Sequence, residues 1–162
     1  MKYIVATQCA LVLVILFEPP GPFEDNRLKT ISDGLREHQG FALALFVSLV
    51  AAMEKILSLA AYWPLTCFLA WAALAGFLGM LYYPNQKNTA NAHLMYACMA
   101  LFSPLLVQTQ LVIEGANHIL VQTSIAWIAL VAVGVSFPLW TAATGVLELV
   151  YLAALWFSWL CA

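Results

Sequence analysis

Positions 64–83 of the chain hold twenty residues without one charged side chain, PLTCFLAWAALAGFLGMLYY. A helix of about 20 apolar residues, at about 1.5 Å per residue, matches the roughly 30 Å hydrocarbon core of a bilayer. Small residues recur four apart within it, as Ala72 with Gly76 and as Ala75 with Gly79. This spacing lets another helix approach closely, either within the same bundle or from a partner. The stretch therefore predicts a membrane-spanning helix with one closely packed side.

Similar apolar runs recur along the whole chain, separated by short polar or proline-containing turns. They predict six spans, at about 3–17, 39–62, 64–83, 93–113, 118–139 and 141–161. The segment 18–38 holds eight of the charged residues and is the one sizeable extramembrane loop. We therefore predict an all-α polytopic membrane bundle, a single transmembrane domain over residues 1–162 with no soluble domain.

Composition supports the same class. The chain is 64% hydrophobic and 9% charged, whereas soluble domains carry roughly 25% charged residues. A net charge of −2 without a basic run argues against nucleic acid as a partner. The four cysteines lie in apolar runs without a Cys-x-x-Cys pair, as small core residues do. We expect an integral multi-pass protein whose first partner is the lipid bilayer.

The first apolar run is short and follows Met1 and Lys2, as in a signal peptide. No small-x-small cleavage site precedes Glu18, Pro19 and Pro20, so we expect an uncleaved signal anchor. At the other end of the sequence, Trp156 and Trp159 lie near the end of the last span, where an aromatic belt is expected.

Few polar residues fall inside the spans, and these are the candidate site residues. Glu148 lies about 10 Å into the last span, where a carboxylate is costly and normally faces the bundle interior. We expect a hydrogen bond with a group such as Tyr96, with a proton or ion path as the alternative. The other candidates for buried polar residues are Glu54, Gln108 and Gln110, which form either a hydrated vestibule or interhelical hydrogen bonds.

The residues offer no arrangement typical of a catalytic or cofactor site. His38, His93 and His118 begin spans, so they do not face one another within the membrane as haem ligands do. No carboxylate or thiol stands at metal-ligand spacing beside them. A nucleophile paired with a base is likewise not visible. We therefore expect no metal and no cofactor other than structural lipids, and we favour a non-enzymatic function.

Three stretches together suggest a family. Residues 31–34 read Ile-Ser-Asp-Gly; residues 85–89 read Asn-Gln-Lys-Asn-Thr and lead into Val-Gln-Thr-Gln-Leu at 107–111; Glu148-Leu149 lies in the last helix. This order resembles the damage-regulated autophagy modulator (DRAM) superfamily over about residues 31–113. The family's proline before Glu37 is absent, and Leu149 stands in place of its tryptophan.

The resemblance implies six spans, both chain ends in the cytosol, and the loop 18–38 in the lumen or outside the cell. It also implies an endomembrane or plasma-membrane location and a lipid-handling role. The candidate headgroup rim consists of Asp33, Arg36, Lys87, Asn88, Asn91 and His93. Lysine and arginine counts favour the opposite orientation, but their bias is small, and we follow the family.

Three functions remain open from the sequence. The first is a small scaffold or accessory subunit that contacts other membrane subunits sideways. The second is a DRAM-like lipid-handling protein, and the third is a proton or ion path through Glu148. The missing catalytic residues and the short loops favour the first.

The topology predicts that Asp25 and the C-terminal end of the chain lie on opposite sides of the membrane. Impermeant thiol labelling of Asp25→Cys and of an added C-terminal cysteine should therefore occur from different sides. The unmutated chain, whose four cysteines lie in apolar runs, is the control. Labelling of both positions from one side would contradict the topology.

Overall fold

The computed structural model of the protein describes residues 1–17, 23–24, 27–28, 39–58, 63–83, 88–136 and 143–161. The described residues form six α-helices: α1 (Lys2–Phe17), α2 (Gln39–Leu57), α3 (Trp63–Tyr82), α4 (Ala90–Ile113), α5 (Leu120–Ser136) and α6 (Ala143–Cys161). A 3-10 turn, Asn117–Ile119, leads into α5. The predicted helical bundle is therefore confirmed.

Five of these helices are long and apolar enough to cross a membrane, which supports an integral multi-pass protein. The helix α1 has sixteen residues and spans about 24 Å at the helical rise. Two helix bounds differ from the approximate bounds of the predicted spans. Helix α4 begins at Ala90 rather than at 93, and α2 ends at Leu57 rather than at 62, with residues 59–62 outside the described part.

Two strands of two residues each lie between α1 and α2. Strand β1 (Phe23–Glu24) pairs antiparallel with β2 (Arg27–Leu28), with Phe23 opposite Leu28 and Glu24 opposite Arg27. Strand β2 lies beside α6. The loop 18–38 was predicted only as an extramembrane segment; apart from these strands it lies outside the described residues.

One side of α1 is buried against α2 and α6. Its buried residues, Val5, Gln8, Val12, Ile15 and Leu16, follow the three- and four-residue spacing of a helix face. The opposite side is exposed. Helix α1 is therefore a packed member of the described bundle.

Helices α3 and α4 pack closely, and two glycines of α3 allow this. A Cβ atom on Gly76 would lie 2.4 Å from the backbone nitrogen of Ala100, and one on Gly79 would lie 2.1 Å from the ring of Tyr96. Both distances are far below van der Waals contact. The small residues at 76 and 79 thus serve packing within the chain, which decides the question that the sequence left open for them.

The outer faces carry large apolar side chains. Phe68 and Trp71 of α3 are each 68% exposed, and Ile128 of α5 is 70% exposed. Small residues such as Ala126 and Ala129 of α5 are buried instead. A surface of this kind suits hydrocarbon rather than water.

Replacing Gly76 or Gly79 by alanine should lower the free energy of unfolding by about 1 to 3 kcal/mol, because the added methyl group pushes α3 from α4. Gly134→Ala is the matched control, since a Cβ there meets nothing within 4 Å. That substitution should be neutral or stabilise by up to about 1 kcal/mol through helix propensity. Unfolding in mixed detergent micelles, followed by circular dichroism, measures both. Equal effects at positions 76 and 134 would contradict the packing.

Candidate functional site

Four helices contribute polar side chains to one level of the bundle, which we call the polar layer. It lies near the end where α1 and α5 begin, and its members are about 3 to 10 Å from the helix ends at the helical rise. Its members are Gln8 of α1; Gln108 and Thr109 of α4; Gln122, Thr123 and Trp127 of α5; and Trp156, Ser158 and Trp159 of α6. Hydrogen bonds between these residues connect the helices.

Gln108 connects α4 to α6. Its side chain is completely buried, and its Nε2 donates to the carbonyl oxygen of Leu155 at 3.3 Å. The hydroxyl of Ser158 lies 3.3 Å from Gln108 Oε1 and 2.7 Å from the carbonyl oxygen of Ala154. Closer to the middle of both helices, the hydroxyl of Tyr151 donates to the carbonyl of Leu101. These bonds fix α6 against α4 at two levels.

Gln8 connects α1 to α6. The indole Nε1 of Trp156 donates to Gln8 Oε1 at 2.7 Å, and Gln8 is only 1% exposed. An amide in an apolar medium costs free energy unless it is hydrogen-bonded. This bond therefore favours the docked position of α1.

Trp127 connects α5 to α4. Its Nε1 donates to Thr109 Oγ1 at 3.0 Å, while the hydroxyl of Thr109 donates to the carbonyl of Leu105 at 2.8 Å. The ring of Trp127 also contacts that of Phe102, with centroids 6.0 Å apart. The neighbouring Thr123 donates to the carbonyl of Ile119 in its own helix.

Three buried polar atoms of the layer have no hydrogen-bond partner in the described part of the chain. They are Gln8 Nε2, Gln122 Oε1 and Trp159 Nε1. Buried polar groups without a partner are rare in folded proteins, because each forfeits its bond to water.

The residues that the sequence predicted as buried and polar differ in burial and in their partners. Glu54 is exposed, not buried, because α2 ends at Leu57 and leaves it in the last turn. Gln110 is half-buried, and its Nε2 donates to Glu114 Oε1 at 2.9 Å. Glu148 is half-buried and takes part in a polar interaction. The ring of Tyr96 stacks on that of Tyr83, with centroids 5.5 Å apart, so the expected bond between Glu148 and Tyr96 stays a prediction.

The candidate headgroup rim is described only in part, since Asp33, Arg36 and Lys87 lie outside the described residues. Asn88 and Asn91 are exposed. His93 is 3% exposed, and its Nδ1 lies 2.8 Å from the carbonyl oxygen of Tyr83. It is thus a buried contact between α4 and the end of α3, not part of an open rim. The reason is that α4 begins at Ala90 and turns position 93 inward.

Sequence reasoning missed Gln8, Trp156 and Trp159 as parts of a site. The two tryptophans were expected in an aromatic belt, but Trp159 is 3% exposed and Trp156 donates to a buried amide. A signal was present in α1, since Gln8 follows Val5 by three positions and precedes Val12 by four. That spacing places the glutamine on the same face as two valines.

The chemistry of the layer is that of uncharged donors and acceptors: amides, hydroxyls and indoles. Within the described ranges no three His, Cys, Asp or Glu side chains come together around a metal position. The four cysteines are free. The layer can hold helices together and bind uncharged oxygen or nitrogen groups.

Removing the indole donor by Trp156→Phe should lower the free energy of unfolding by about 1 to 3 kcal/mol, because Gln8 Oε1 is then buried without a donor. Adding Gln8→Leu removes the unpaired amide, so the double variant should lose less than the sum of the single losses. Trp71→Phe on the exposed face of α3 is the control and should be nearly neutral. Additive losses would argue against the bond.

No family model, no curated protein and no solved structure matches this chain. The resemblance to the DRAM superfamily therefore stays a prediction. The functional argument rests on the chain's own residues, above all on a polar layer that joins α1, α4, α5 and α6 within an apolar bundle.

Proposed function

We propose that the chain is a non-enzymatic multi-pass membrane protein with six spans, which acts as a small scaffold or accessory subunit of a larger membrane complex. The observation that supports this most is that buried polar side chains bond to other helices of the same chain. Gln8, Gln108 and Tyr151 all bond to neighbouring helices of the same chain. The outward faces are left with large apolar side chains, so specific contacts of the spans are made sideways in the plane of the membrane.

The inclusion of α1 as a sixth span rests on its packing. Its length of about 24 Å is shorter than a hydrocarbon core of roughly 30 Å. Local thinning of the bilayer and snorkelling of a flanking side chain such as Lys2 compensate for such a mismatch at modest cost. The buried bond from Trp156 to Gln8 supplies a reason for α1 to stay in the bundle.

An ion path has less support. Below Glu148, the next polar side chain on the inner face of α6 is Tyr151, whose hydroxyl already bonds to the carbonyl of Leu101. The following one is Ser158, seven residues on, or about 10 Å at the helical rise. Buried Ala154 and Leu155 fill the interval. A lipid-handling rim also has less support, because His93 is buried against Tyr83.

The exposed strip of α3 around Ala75 is the best place for a lateral partner. Gly76 and Gly79 are used inside the bundle, whereas Ala75 is exposed. Exposed Trp71 and Leu78 lie one turn to either side of it. A small residue between two large ones leaves a depression in the helix surface, which we call the notch. Small residues at such positions let another helix approach closely in membranes.

Native mass spectrometry of the gently solubilised protein tests this proposal. We expect the chain to carry further membrane subunits. Ala75→Leu should keep the monomer fold and release those subunits, because the leucine fills the notch. Ala153→Leu on the exposed side of α6 is the matched control and should retain them. A protein that is purely monomeric in mild detergent, and active when reconstituted alone, would contradict the subunit function.

A further inference from the structure

Helix α4 contains a proline, Pro104, well inside its span of Ala90–Ile113. A proline has no backbone N–H, so the carbonyl oxygen of Ala100, four residues earlier, loses its usual helical donor. The proline ring also crowds that carbonyl, and prolines inside helices are typical places for a helix to bend. The turn 100–104 therefore lacks a hydrogen bond that a regular helical turn would have.

Before the proline, α4 packs against α3. A Cβ atom on Gly76 would lie only 2.7 Å from the carbonyl oxygen of Tyr96. Nearer the start of α4, Nδ1 of His93 lies 2.8 Å from the carbonyl oxygen of Tyr83, and the rings of Tyr83 and Tyr96 stack with centroids 5.5 Å apart. These contacts join α3 to residues 90–100 of α4, and we call the two segments together the α3–α4 arm.

After the proline, α4 is hydrogen-bonded to other helices. Gln108 donates to a backbone carbonyl of α6 at 3.3 Å, and Thr109 accepts from Trp127 of α5 at 3.0 Å. Within the turn itself, the carbonyl of Leu101 already accepts a bond from Tyr151 of α6. The second half of α4 is therefore held with α5 and α6, and the arm ends just before Leu101.

A small cavity lies beside the same turn, between α2, α3 and α4. Its volume is about 30 Å³, close to that of one water molecule in the liquid. The lining side chains are apolar: Leu49, Met53, Ala73, Leu74, Phe77, Ala100 and Pro104. A buried water needs about two to four polar partners, which such a lining does not offer. The cavity is therefore room for a shift of the helices around it.

We propose that the α3–α4 arm swings about the turn 100–104, toward α2 and into this cavity, while the second half of α4 stays with α5 and α6. The bundle then has two conformations, which differ at a single helical turn. Hinges of this kind absorb a movement in a few residues. Bending here is favoured because the helical bond to the carbonyl of Ala100 is already missing.

The hinge would connect a lateral partner to the rest of the bundle. Ala75 lies on α3 and travels with the α3–α4 arm, so a partner that binds one conformation better would shift the population toward it. This consequence rests on the function proposed above, whereas the hinge itself requires no partner. A measurement on the isolated chain therefore tests the hinge separately from the partner.

Double electron–electron resonance on the full chain in phosphatidylcholine nanodiscs measures the movement. Nitroxide labels are attached at Asn91→Cys, near the start of α4, and at Ile128→Cys on α5, in a chain whose four cysteines are replaced by alanine. Both labelled positions are exposed. We expect two distances between these labels. The control pair, Ile113→Cys with Ile128→Cys, lies wholly beyond the proline and should give one distance.

Three variants locate the hinge. Pro104→Ala restores the donor to Ala100, so the population of the minor distance should fall about fivefold, the effect of about one net hydrogen bond. Ala73→Val adds two methyl groups to the lining of the cavity and should also reduce the minor population. Pro64→Ala is the matched control and should change nothing, because Pro64 lies in the first turn of α3, where a proline removes no helical bond.

Thermal melting of each labelled variant shows that it is folded. One distance in the chain with its native prolines, two distances from the control pair, or unchanged populations in Pro104→Ala would overturn the hinge. Unchanged populations in a folded Ala73→Val would overturn the movement into the cavity.

Discussion

A polar group inside a bilayer must find its partner within the protein, because hydrocarbon offers none. In this chain, that constraint acts on a small number of side chains, and their bonds determine how four of the six helices meet. Gln108 and Ser158 bring α4 to α6, Trp127 and Thr109 bring α5 to α4, and Trp156 and Gln8 bring α1 to α6. The hydrophobic effect cannot supply this order, since lipid chains are as apolar as the side chains that they contact.

The remaining helices are held in a different way. Helix α3 meets α4 through Gly76 and Gly79, whose missing side chains allow backbone and ring atoms to come close. Helix α2 adds apolar contacts, among them Phe46 stacked on Phe77 with centroids 6.0 Å apart. Dispersion attraction between closely packed surfaces has no preferred direction. Each hydrogen bond of the polar layer, by contrast, requires a particular donor and a particular acceptor. The bundle therefore combines a hydrogen-bonded side with a closely packed side.

The sequence predicted the helical class and an integral multi-pass membrane protein, because length and hydropathy along the chain determine these. It could not predict which face of each helix points toward the interior of the bundle. Spans such as α3 are apolar all round, so no polar stripe distinguishes an inner face from an outer one. For that reason Gly76 could equally have faced a partner, and Trp156 could equally have belonged to an aromatic belt. His93 was misplaced for a related reason, since a three-residue error in the start of α4 turns a side chain from the surface to the interior.

The bundle's hydrogen-bonded side and its closely packed side would respond differently to a partner. The hydrogen bonds of the polar layer join α1, α4, α5 and α6, whereas α3 meets α4 closely at Gly76 and Gly79. A lateral partner at Ala75 would therefore press on a helix that is closely packed against its neighbour. Helices α1 and α6 lie on the hydrogen-bonded side, where Gln8 Nε2 and Trp159 Nε1 have no partner among the described residues. A partner at α3 and a change at the contact between α1 and α6 would therefore act on separate helix contacts of one bundle.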